Sequence, residues 1–85
     1  MRGVEQMLKE FNWLGGYYSK KADNHEVTVE ETSSGYLVSL WKGEAKNLLE
    51  TQDFTGKDLN TLLRSLTLAD QLVKQNKKSH SAGKQ

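Results

Sequence analysis

Apolar residues recur along this chain in two rhythms. Between Gly3 and Leu14, the residues Val4, Met7, Leu8, Phe11 and Leu14 return every three or four positions, the spacing that lines one side of a 3.6-residue helix. Gly15 and Gly16 follow directly, and glycine takes the left-handed conformation that closes helices. The spacing therefore predicts a short amphipathic helix over residues 3–14. Tyr17 to Asn24 is mixed, and its two lysines before Asp23-Asn24 read as a loop, with a short strand over Tyr17–Ser19 as the alternative.

From His25 the period shortens to two. Val27 and Val29 alternate with Thr28 and Glu30 in a half-buried strand over His25–Thr32, and Ser33, Ser34 and Gly35 supply a turn. Tyr36 to Lys42 resumes as a strand with Tyr36, Val38 and Leu40 on one side and Leu37 and Trp41 on the other, so it should be central and covered on both sides. Ala45 to Asp53 has helix-forming composition, yet a hairpin alone is marginal in water, and a third strand is the expectation.

The last apolar series is helical. Thr55 and Asp58 have capping-box spacing, with Phe54 placed to staple onto Leu59. Leu59, Leu62, Leu63, Leu66, Ala69 and Val73 form a stripe to about Gln75, while Leu68 and Leu72 lie off its centre. The fold class expected is α+β: an N-terminal helix, a three-stranded antiparallel meander and a long C-terminal helix on the sheet (α-β-β-β-α). Its core should hold Val27, Val29, Val38, Leu40, Phe54, Leu59, Leu62, Leu63, Leu66 and Val73.

Size and charge narrow the picture. Eighty-five residues permit one domain with a thin core, expected over residues 1–76, with 77–85 as a disordered basic tail. Twelve Lys/Arg against eleven Asp/Glu leave a net charge of +1, so no strong overall field draws nucleic acid or anionic lipid. No apolar run is long enough to span a bilayer and no signal-peptide stretch opens the chain, so a cytoplasmic protein is the expectation and no membrane partner is expected.

Chemistry-bearing patterns are sparse. There is no Cys, which excludes disulfides, thiolate metal sites and a cysteine nucleophile. His25 and His80 are far apart in sequence, with His80 in the expected tail. The run Asp23, Asn24, His25, Glu26 lacks the spacing of metal loops, and Glu30 and Glu31, adjacent on a strand, point to opposite faces. Nucleophile-elbow, Walker and dinucleotide glycine patterns are all missing. No catalytic residue, cofactor or metal is expected, and the reading is not an enzyme.

Surplus apolar surface is the stronger signal. Trp13 falls off the first helix's stripe, and Leu37 with Trp41 lies on the strand face opposite Val38 and Leu40. Exposed aromatics are common anchors of protein recognition, although a thin three-layer core could also enclose them. The sequence thus suggests a small non-enzymatic interaction module, an accessory or inhibitor protein that binds a partner protein through Trp13, Leu37 and Trp41, with Leu68 and Leu72 at a homodimer seam.

The alternative is nucleic-acid binding through Lys20, Lys21, Lys57, Lys74, Lys77 and Lys78. Helix, three strands and helix over residues 3–76 resembles the double-stranded RNA-binding domain in outline. That family opens its last helix with a lysine cluster in a Gly-Ser-Lys-Lys type loop that grips phosphates. Here the corresponding stretch is Thr55, Gly56, Lys57 and Asp58, one lysine beside an acid, and the chain is not assigned to that family.

Overall fold

The computed structural model describes residues 3–82, with side chains as far as Gln75. A short helix α1 (Val4–Leu8) leads into strands β1 (Asn12–Trp13), β2 (Tyr17–Ala22), β3 (His25–Glu31), β4 (Gly35–Lys42) and β5 (Asn47–Thr55), and a long helix α2 (Leu59–Ala82) closes the chain. The strands form one antiparallel sheet in the order β1-β2-β3-β4-β5. The α+β class and the helix packed on an antiparallel sheet are as expected; the sheet has five strands where three were expected.

Both added strands come from the N-terminal third. The apolar stripe read as one helix to Leu14 is helical only to Leu8. Met7 and Phe11 are buried, but beyond Phe11 the backbone pairs with β2, Asn12 opposite Ser19 and Trp13 opposite Tyr18. Gly15 and Gly16 make a hairpin turn rather than a helix stop: Leu14 N–H donates to the Tyr17 carbonyl at 2.9 Å, and Gly15 has φ 78°, a conformation glycine accepts without strain. Leu14, expected on the apolar stripe of the helix, is thereby 49% exposed.

Tyr17–Ala22, read as a loop, is a full strand. Its polarity hid it, because Lys20 faces the helix side and is neutralised there by Asp70 at 2.6 Å. The third expected strand exists but is shifted to Asn47–Thr55 and is an edge, exposed along nearly its whole length. Gly35, which opens β4, allows an approach no other residue would, since a Cβ there would lie 1.8 Å from the Phe54 carbonyl oxygen.

Alternation along the strands sorts the sheet into two faces. Val27, Val29, Val38 and Leu40 face α2 and pack with Leu62, Leu66, Ala69, Leu72 and Val73. Helix α1 packs on α2 and adds Met7 to this core, so the other face of β4 has no helix over it, contrary to the expectation of cover on both sides. The buried arc of α2 runs from Thr61 and Leu72 on one flank to Asp70 on the other, about 180° at 100° per residue. That breadth encloses Leu72, which the stripe had placed at its margin.

Leu59 departs from the expected core and is 68% exposed. The cap of α2 is Asp58, not Thr55: the Thr61 hydroxyl donates to its carboxylate at 2.6 Å, and Leu62 N–H donates to its carbonyl at 3.1 Å. Leu59 is thus the first helical residue, and the buried face of α2 begins only at Thr61 and Leu62. Phe54 is half-buried under the Arg64 guanidinium, 5.6 Å from the ring centre, rather than stapled to Leu59. Helix α2 also continues past Gln75 to Ala82. The rest of the expected tail, residues 83–85, lies outside the described residues.

Candidate functional site

The uncovered face of the sheet is built in cross-strand rows. Lys21, Glu26, Trp41 and Leu48 form one, and Tyr17, Glu30, Leu37 and Asp53 form another. Between them runs Ser19, Thr28, Ser39 and Thr51. Each residue is placed by the same alternation that sends its neighbour into the core, so the face inherits its spacing from the valines behind it.

Its centre is a fixed polar network. Glu26 is only 7% exposed; the Ser19 hydroxyl donates to one carboxylate oxygen at 2.5 Å and the Lys46 ammonium to the other at 2.7 Å. Burial pushes the Glu26 carboxyl up, but the hydrogen bonds from Lys46 and Ser19 and the charges of Lys46 and Lys21 outweigh it and hold it below its ordinary value. Lys46 reaches the site from the β4–β5 turn, where it has φ 57° and its N–H donates to the Gly43 carbonyl at 3.1 Å. Its bond to Glu26 raises its own pKa.

Beside this network the Trp41 indole N–H donates to the Thr28 hydroxyl at 3.0 Å, tying the ring toward β3 and leaving its apolar body half-exposed. Tyr17, Glu26, Thr28, Glu30, Trp41 and Lys46 line an open recess of about 270 Å³. Glu26 and Glu30 share this face but are separated along β3 by Thr28, about 13 Å between backbones, too far to share a proton or flank one bond. Among the described residues no group of three His, Asp or Glu side chains is placed to hold a metal. His25 stands apart at the end of β3, and its Nδ1 is buried without a hydrogen-bond partner among the described residues.

The five residues expected to bind a partner fall in separate places. Leu37 and Trp41 share the open face. Trp13 is 60% exposed but belongs to β1, with its ring 4.8 Å from that of Tyr18 on the helix side of the sheet. Leu68 is half-buried at a groove of about 530 Å³ between α1 and α2, beside Met7 and Leu63. Leu72 is 7% exposed and is part of the core, so it offers no surface to a homodimer seam.

The expected nucleic-acid lysines are also dispersed. Lys20 bonds Asp70 at 2.6 Å and Glu10 at 3.2 Å, with its ammonium 5.5 Å from the Phe11 ring centre. Lys57 pairs with Glu31 at 2.9 Å and Lys74 with Asp70 at 3.0 Å. Lys21 is exposed on the open face, across from Glu26. The side chains of Lys77 and Lys78 lie outside the described residues.

Ser19, Glu26 and Lys46, the residues that hold the network, were not singled out as a group from sequence. They sit seven and twenty positions apart, on two strands and a turn, and no local pattern links them. The one legible sign was the alternation of Thr28 and Glu30 opposite Val27 and Val29, which carried no mark of Glu26. Comparison with protein families, with curated proteins and with solved structures finds no match to this chain.

Proposed function

We propose that this chain is a non-enzymatic protein-interaction module, an accessory or inhibitor protein that docks a partner on the open face of its sheet around Leu37 and Trp41. The observation that carries the reading is a half-exposed Trp41 and Leu37 on a sheet face that no helix of the described chain covers, set around a carboxylate already locked by Ser19 and Lys46. A rigid face of this kind gives a partner an aromatic anchor whose rotamer is fixed before binding, which lowers the ordering cost of association. Glu30 and Asp53 flank Leu37 in the same row, so the complementary surface presents apolar groups bordered by basic ones.

Nucleic-acid binding gains less support, because Lys20, Lys57 and Lys74 each face a carboxylate of this same chain and their charge is partly neutralised before any phosphate arrives.

Leu37→Ser and Trp41→Ala test the reading. Each should abolish capture of the partner that the wild-type chain retains from native extract, with Leu37→Ser leaving Tm within about 2 °C of wild type. Retention of the same partner by both variants would remove the open face from the account. A collapse of stability in Trp41→Ala would assign that ring to holding the sheet.

A further inference from the structure

The sheet ends in two unlike edges. Strand β1 contributes two residues and β5 contributes nine. The direction of the β5 backbone groups follows from the end of the ladder. Gly56 N–H donates to the Ser34 carbonyl at 2.8 Å, and Gly35 stands opposite Thr55. Positions 34 and 56 therefore bond across the pair. By the two-residue alternation of an antiparallel ladder, so do Tyr36 with Phe54, Val38 with Gln52, and Leu40 with Glu50. Thr51, Asp53 and Thr55 then aim their N–H and C=O groups outward. The chain contains no Pro to block them, and such an edge is a template for another strand.

We infer that this edge pairs with a second copy of the chain, β5 against β5, antiparallel about a two-fold axis at Gln52, joining the two sheets into one. Among the central positions of β5, Thr51 to Asp53, the register is set by exclusion. An axis at Asp53 would lay that carboxylate against its own copy, and like charges directly opposite destabilise a sheet. An axis at Thr51 would set Asp53 against Leu49, the extra residue where the β4–β5 register shifts. The axis at Gln52 sets Thr51 against Asp53 of the second copy twice over, a hydroxyl beside a carboxylate, and supplies about four backbone hydrogen bonds.

Charge supports the same register on the helix side. There Glu50 comes opposite Phe54 of the second copy, and the ring of Phe54 carries the Arg64 guanidinium 5.6 Å from its centre. Each Arg64 thus meets Glu50 of the other copy. Within one chain neither makes an ion pair among the described residues. Helix α2 lies over β3 and β4, so with strands about 4.8 Å apart the two copies of α2 stand roughly 19 Å apart, leaving room for these pairs. The seam is small, and the dimer is correspondingly weak and concentration-dependent. It uses neither Leu37 nor Trp41, the anchors of the function proposed above, although Asp53 borders both surfaces.

Sedimentation equilibrium up to about 1 mM protein tests the inference. The average mass should climb from 9.6 kDa toward twice that value. Asp53→Pro removes an outward N–H that β4 does not use and should hold the chain at the monomer mass with its circular dichroism unchanged. Arg64→Glu should raise the dimer dissociation constant roughly tenfold, and adding Glu50→Arg should restore it. A mass that stays at 9.6 kDa at the highest concentration overturns the inference, as does a dimer that survives Asp53→Pro or a charge swap that restores nothing. Should Asp53→Pro fail to fold, the charge swap between two exposed side chains decides.

Discussion

Under α2, Val27, Val29, Val38 and Leu40 are each no more than 1% exposed, and the side chains that meet them are Leu62, Leu66, Ala69 and Val73. On the other side of the same strands stand Glu26, Thr28, Ser39 and Trp41, and there the close contacts are hydrogen bonds: Ser19 to Glu26, Lys46 to Glu26, Trp41 to Thr28. One face is held by excluding water and the other by satisfying polar groups beside it. The first depends on volume, so it punishes any loss of carbon atoms. The second depends on direction and charge, so it responds to protonation and to a single missing donor.

The largest expected effect breaks the covered face. Leu66→Ala removes a wholly buried side chain from the middle of α2 and should cost about 3 kcal/mol, read from the denaturant midpoint at constant slope. A loss below about 1 kcal/mol would mean that the core collapses into the gap and that the two faces differ less than their contacts indicate.

Glu26→Gln probes the open face and should cost about 1 kcal/mol at neutral pH, because an uncharged amide keeps the volume but loses the ionic bond to Lys46. Acid sharpens the contrast. Glu26 titrates below its ordinary value, burial notwithstanding, through Lys46 and Ser19, and Asp70 does so, also against burial, through Lys20 and Lys74. Folded values below the unfolded ones mean that this stability is present above the ordinary carboxylate range and is lost as pH falls through the lowered values, from about pH 5 downward. Chemical denaturation across that range should show the acid limb flatten in Glu26→Gln, and an unaltered limb would assign the acid response elsewhere.

The smallest effect is a control on both faces. Leu59 belongs to the apolar series of α2 but is 68% exposed, so Leu59→Ala should change stability by no more than about 0.5 kcal/mol. A penalty like that of Leu66→Ala would place the start of α2 against the sheet after all.

The covered face was legible in the sequence where period and burial coincide. Val27 and Val29, Val38 and Leu40, and Leu62, Leu66, Ala69 and Val73 announced two strands and a helix by spacing alone. The missing strands were hidden by two different causes. Phe11 fits the helical stripe and is buried, yet pairing with β2 takes the chain immediately after it, a long-range preference that local spacing does not encode. Lys20 made β2 look like a loop because its compensating acid, Asp70, lies fifty positions away. Of the open face, Leu37 and Trp41 could be read from alternation, whereas Ser19 and Lys46 acquire meaning only once the meander brings them to Glu26. Trp13 and Leu72 were misplaced with the elements that carry them, one moved from a helix to an edge strand and the other drawn in by the breadth of the α2 contact.

Every strand in the order β1-β2-β3-β4-β5 bonds to its immediate predecessor, while the helix that shelters their valines follows all of them in the chain. During translation the hairpins can zip up one after another with little loop-closure cost, but their greasy side stays wet until the ribosome has released α2. For that interval the nascent sheet carries an apolar surface without its lid, the kind of surface that favours aggregation before folding is complete.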